Sequence, residues 1–181
     1  MVPCEMILLD HSQKDFYILV LRIITQMKIL FYLLLVGALL EPALGNPSVL
    51  ERPSITIEAA KELVAKAEAK ARALNRTVCI AVVDNGGNLL AFERMEGAFL
   101  AGIDLSQGKA RSALRFEEPT AKIEATVHDG RYALLTAGAV EMQGGIPLLR
   151  GSEIIGAIGV SGADTASDVP IAESALADFA P

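Results

Sequence analysis

Apolar residues in this chain follow two regimes. Up to Gly45 they run in blocks, and from Asn46 onward they recur with helix or strand periods. Ile57, Ala60, Val64, Ala67, Ala71 and Leu74 recur at steps of three and four, which predicts a helix from Ile57 to about Leu74 capped by Thr56. Glu62 with Lys66, and Glu68 with Arg72, set opposite charges four apart on its polar face. Thr77 to Asp84 is rich in β-branched residues and reads as a buried strand. Asn85-Gly86-Gly87 tolerates positive φ and turns the chain into a second strand, Leu89 to Arg94, giving a hairpin.

A second helix is expected from about Ile103 to Phe116, and its Ser106, Gly108, Ala110, Ser112 and Ala113 permit close packing against a sheet or a partner helix. Pro119-Thr120 breaks it, and Thr120 to Val127 is expected to form one or two helical turns. His128-Asp129-Gly130 reads as a loop, and Tyr132 to Thr136 fits a strand or a helix. Ala139 to Met142, Ile146 to Arg150 and Glu153 to Ser161 read as strands, the last two joined at Gly151-Ser152. A final helix is expected to start near Pro170 and to bury Ala172, Ala175, Leu176 and Phe179. Two strands, helices, three more strands and a closing helix predict an α+β sandwich.

The blocks before Asn46 have another meaning. Met27-Lys28 precedes an apolar run from Ile29 to Leu40, Glu41-Pro42 ends it, and Ala43-Leu44-Gly45 supplies small residues for cleavage. That is the charged start, short apolar centre and small-residue site of a secretory signal peptide over residues 27–45. The run is shorter than the roughly 20 apolar residues of a membrane span, so a retained anchor is the weaker reading. Glu5, Asp10, His11 and Asp15 are unusual ahead of a signal peptide, so residues 1–26 read as a start-site extension and Met27 as the true start. Residues 46–181 are then a single domain, periplasmic or secreted, with no membrane span of its own.

From Asn46 on, 13 Lys and Arg face 18 Asp and Glu, a net charge of −5. Without a basic block or interleaved aromatic and basic residues, nucleic acid is not an expected partner. Cys79 is the single cysteine of this part, inside the apolar run Val78-Cys79-Ile80-Ala81, and reads as an inert buried thiol. Stability therefore rests on the core or on assembly.

The most informative segments are Gly144-Gly145-Ile146-Pro147-Leu148 and Gly156 to Gly162, where glycines stand inside strands. Such glycines mark a bulge or the close approach of a ligand or another backbone. Gly144-Gly145 could offer N–H groups to an anion, although Gly-Gly-Ile-Pro matches neither a P-loop nor a dinucleotide fingerprint. Arg94, Lys109, Arg111 and Arg115 are cations that could grip a carboxylate, or simply solvated charge. Asp84 reads first as a turn former. No clustered His and Cys set supports zinc, and no Gly-x-Ser-x-Gly elbow supports a hydrolase.

The chain resembles the GlcG/HbpS family, a haem-binding-like domain also found at the C-terminus of PduO proteins. The resemblance lies in Ala81 to Gly87, Phe92 to Ala98, Lys109 to Ala113, Gly144 to Leu148, Ile155 to Gly162, and Asp168 with the helix after it. It covers nearly all of residues 55–179, and departs around Thr126 to Thr136 and Ala163 to Ser167. It implies a profilin-like fold with a five-stranded antiparallel sheet flanked by helices, assembly into homo-oligomers, and binding of haem, with a corrinoid less favoured. Haem iron takes His, Met, Cys or Tyr. His128 is therefore the first candidate ligand and Tyr132 the second, with Met95 and Met142 behind them. Arg94 or Lys109 would meet the propionates, and Met95, Gly144, Gly145, Ile146 and Pro147 would help line the ligand site. The alternative the resemblance leaves open is a lyase-like small-molecule enzyme using the same glycine-lined pocket, with Asp84, Glu93 or Lys109 as acid or base.

Overall fold

The computed structural model describes residues 11–39, 48 and 50–179. The described chain divides into two units, one up to Leu50 and one from Glu51. Among its described residues the first holds one helix, α1 (His11–Leu39), which passes through Arg22 and Met27 without a break. Residues Asp15–Leu33 within it form a 19-residue stretch of mean hydropathy 1.6, long and apolar enough to cross a membrane by length and composition. A signal sequence near an N-terminus meets the same description. The expected cleavage segment, Glu41 to Gly45, lies outside the described residues.

The second unit begins with α2 (Ile57–Ala73), where Thr56 Oγ1 accepts the Ala59 N–H at 3.2 Å. Glu58 in its first turn and Lys70 and Arg72 in its last complement the helix dipole. Then come β1 (Val78–Asp84), β2 (Leu89–Arg94), α3 (Gly102–Phe116), α4 (Thr120–His128), a 3₁₀ turn (Tyr132–Thr136), β3 (Gly145–Arg150), β4 (Glu153–Gly162) and α5 (Thr165–Leu176).

Among the described residues the sheet has four antiparallel strands in the order β2-β1-β4-β3, not five. The missing strand is Ala139 to Met142, which is irregular. Its backbone is tied to helices instead: the Val140 N–H donates to Ser112 Oγ at 2.8 Å, and the Gln143 N–H to Glu124 Oε2 at 3.3 Å. Tyr132 to Thr136 resolves as helical, and His128 ends α4 rather than standing in a loop. Pro170 lies inside α5, whose N-cap is Asp164, so the last helix starts five residues before the proline.

Strand alternation sorts the core into two layers. Val78, Ile80, Val82, Leu148, Ile158 and Val160 meet α2 and α5, while Val83 and Ala157 meet Ala110 and Ala113 of α3. The α3 layer is thin because glycines face it. A Cβ on Gly159 would overlap the Ser106 carbonyl and lie 2.6 Å from the Ala110 nitrogen, and one on Gly145 would overlap the Lys109 carbonyl. The strand glycines thus let a helix backbone rest on a sheet backbone.

Overpacking at a rigid contact typically costs 1–3 kcal/mol, and here both neighbours are backbone. Gly159→Ala is expected to lower stability by about 3 kcal/mol, read from the midpoint of urea unfolding. An unchanged midpoint would mean that α3 does not sit this close.

Candidate functional site

Lys109 is the least expected side chain in the domain. It projects from α3, is fully buried, and its ammonium lies 2.7 Å from Asp168 Oδ2 on α5. The same Nζ donates to the Val160 carbonyl at 3.1 Å, and Asp168 Oδ1 accepts the Gly162 N–H at 2.8 Å. The pair ties the helix on one face of the sheet to a helix on the other, with the end of β4 between them. A charge so buried needs both a partner and hydrogen bonds, and Lys109 has both. Its ammonium is therefore engaged inside the domain instead of being presented to propionates. Burial pushes the Asp168 carboxyl up to about 6, against the lowering pull of Lys109 and the Gly162 N–H.

Gly144 packs directly against this pair. Its φ is +115°, and a Cβ there would lie 2.8 Å from Asp168 Cβ and 3.3 Å from Lys109 Nζ. On its other side the chain opens a cleft of about 400 Å3 lined by Pro119, Ala121, Gly144, Gly145, Ile146, Val169, Glu173, Leu176 and Ala177. One wall is the start of β3 with the head of α4, and the other is α5. Glu173 is the sole ionisable residue of this lining, and the rest is apolar. Pockets of this size and character suit small organic ligands.

The residues singled out from sequence fall into three places. Gly144, Gly145 and Ile146 line the cleft, while Pro147 is buried in the strand beside it and does not. Arg94 ends β2 and Met95 follows it, at the opposite edge of the sheet, three strand spacings or about 14 Å from β3. Arg94 donates to the Ala98 carbonyl at 3.0 Å, and Met95 is a buried core residue. His128 and Tyr132 stand exposed, at the end of α4 and on the 3₁₀ turn. Ala121 of the same helix borders the cleft, so His128 lies about 10 Å further along the axis. Met142 is half-buried in the irregular segment before β3. Lys122 on α4 and Arg131 just before the 3₁₀ turn, both exposed, are cations that sequence reasoning passed over.

The acid–base candidates are not gathered. Burial tends to raise the Asp84 carboxyl, but hydrogen bonds from Asn88, Gly86 and Gly87 outweigh it and hold it below the usual range. Its Oδ1 accepts the Gly86 and Asn88 N–H groups at 2.8 Å each, which is turn chemistry. Glu93 is raised by burial and by Glu68, against Arg72, on the α2 side of β2. The Cys79 thiol is buried and raised by desolvation, partly offset by Arg94, consistent with an inert residue. Among the described residues no group of three His, Cys, Asp or Glu could hold a metal ion. For a haem the fit is of another kind. An apolar cleft suits the ring face, the α4 segment offers cations, and His128 and Tyr132 are donors beyond the lining.

With four antiparallel strands between helix layers and a glycine-lined cleft of ligand size, the domain is of the α+β class. A family model described as "Haem degrading protein HbpS-like" matches residues 55–177, so the chain belongs to the HbpS-like family, the GlcG/HbpS group. It is 38% identical over 131 residues to an uncharacterised 15.0 kDa protein of Citrobacter freundii, covering 70% of this chain and 92% of that one. A solved double mutant of Streptomyces reticuli HbpS shares 26% identity at a TM-score of 0.70, over 78% of this chain and 97% of that one. The structure of a PduOC–haem complex shares 27% at a TM-score of 0.64, over 70% and 95%.

Asp168 makes a signed prediction. Its folded pKa lies above the ordinary 3.8, so the stability it contributes is fully present below about pH 3.8 and is lost as pH rises through about 6. Relative to Asp168→Asn, the wild-type chain is expected to lose stability from pH 4 to pH 7 in a series of urea unfolding curves. A relative gain over that window would contradict the burial-dominated site.

Proposed function

We propose that this protein is an exported haem-binding protein, a carrier, scavenger or accessory to a sensor, with the ring seated on the cleft between Gly144–Ile146 and α5. The observation that carries the proposal is the preformed apolar cleft on the family's glycine segment, bordered by the helix that ends in His128. Membership of the HbpS-like family and likeness to a PduOC–haem complex support a tetrapyrrole as the ligand, with haem ahead of a corrinoid. His128 is the first choice of iron donor and Tyr132 the second. Lys122 and Arg131 take the role of propionate partners in place of Lys109, whose charge is engaged with Asp168. Bound haem would supply a metal centre for redox or gas chemistry, and the protein's part is to hold the ring and shield one face.

Self-association belongs to the same proposal. Among the described residues the outer edges of β2 and β3 are unpaired within the sheet, and Phe92, Leu100 and Leu149 are exposed. Arg94, remote from the cleft of its own chain, could serve a ligand held by a second copy. Export rests on residues 27–45, and cleavage there would leave Asn46 as the first residue. Intact mass of the exported protein is expected to give that start, and a mass retaining α1 would favour an anchored form.

A second reading has one observation in its favour. A buried ionisable pair directly behind a ligand cleft, with Glu173 in the lining itself, also suits a lyase-like enzyme acting on a small organic substrate, with Glu173 and Asp168 nearer the ligand than Asp84 or Glu93.

Haemin titration of the full chain, followed by absorption spectroscopy, is expected to give a saturable Soret shift. His128→Ala should alter or abolish the iron-dependent bands, and Tyr132→Phe should change them less. A titration without saturation would remove haem and move the enzyme reading forward.

A further inference from the structure

We propose that Lys109 and Asp168 are positioning residues for the cleft, their buried pair holding the α5 wall at a fixed distance from the Gly144–Ile146 wall and so setting the width open to a ligand. This rests on the reading that the cleft is the ligand site.

Both walls meet at the pair. The α5 lining begins at Val169, the residue after Asp168, and continues through Glu173 and Leu176. The opposite wall begins at Gly144, whose missing Cβ makes room for Asp168 and for the Lys109 ammonium. Hydrogen bonds close the circuit. Lys109 Nζ donates to the Val160 carbonyl at 3.1 Å, the Val160 N–H donates to the Gly144 carbonyl at 2.9 Å, and the Gly162 N–H donates to Asp168 at 2.8 Å. Below its head, α5 is held by Ile171, Ala172 and Ala175, all fully buried in the core. These apolar contacts are non-directional, whereas the charged pair fixes one donor–acceptor distance. A buried ion pair adds little net stability over apolar residues of similar volume, so geometric specificity is the role left to it here.

The test uses a property of the sequence: the chain has no tryptophan. Ala177→Trp, at the exposed end of the α5 wall, gives a single tryptophan that can be excited beyond the band of the tyrosines, and its quenching by acrylamide reads the openness of that wall without any ligand. It is made in the full wild-type chain, with Lys109→Met/Asp168→Leu, and with Asp168→Asn. The apolar double replacement is expected to keep a cooperative thermal transition. It should raise the quenching constant about twofold and weaken haemin binding about tenfold. Asp168→Asn, which keeps an oxygen for the Gly162 N–H but not the charge, should fall between. A folded double variant with wild-type quenching and wild-type haemin affinity would overturn the proposal. So would loss of cooperative unfolding in both variants, which would assign the pair to stability alone. Failure of the wild-type chain to bind haemin would instead retire the haem reading, while the quenching comparison still judges the pair.

Discussion

The close approach of α3 to the sheet is the constraint on which the rest of this domain depends. Gly145 and Gly159 are paired across β3 and β4, and each lacks the Cβ that would strike the helix backbone. Ser106, Ala110 and Ala113 present an equally small surface from the helix side. Only at that separation can a lysine on α3 reach an aspartate on α5. The glycines and the buried ion pair are thus one arrangement: the first sets the distance and the second uses it.

That arrangement explains why the cleft lies where it does. Gly144 must leave space for the Lys109–Asp168 pair, so the chain enters β3 in a conformation open to glycine, with φ at +115°. From that contact the start of β3 and α5 border a mostly apolar recess in front of the pair. Polar chemistry is concentrated behind the recess and apolar surface lines it. Such a layout favours holding a flat apolar ring over activating a nucleophile, since one wall is held by charge while the ligand meets hydrocarbon. On the proposed haem reading, the iron donor and the propionate partners come from beyond the lining, at His128 or Tyr132 and at Lys122 and Arg131.

Much of the fold was legible because the regular elements have strong periods. The α2 stripe, the Asn85-Gly86-Gly87 hairpin and the β3–β4 pair stand within a residue or two of where the sequence puts them. The fifth strand was misread because Ala139 to Met142 has strand-like apolarity, yet its Val140 N–H is taken by Ser112 and that of the following Gln143 by Glu124, partners that no local pattern reveals. The start of α5 was set too late because proline is well tolerated in a first turn, while Asp164 caps the helix earlier. In the site, the glycine segment was readable and the ion pair was not. Lys109 and Asp168 are 59 residues apart, and a lysine among small residues on a helix looks like surface charge. The available hint was Gly144, whose positive φ requirement and close neighbours follow from burying that pair. Arg94 was grouped with the glycines by residue type alone, and strand order separates them.

The central claim is that the ligand sits against the start of β3 and α5. Ferric haem broadens nearby amide resonances, so an amide-resolved NMR spectrum of the chain with substoichiometric haemin tests it directly. The account predicts loss of signal at Gly144 to Ile146 and Val169 to Ala177, with weaker effects along α4 toward His128. Broadening confined to β2, or to the 3₁₀ turn without the cleft residues, would contradict it.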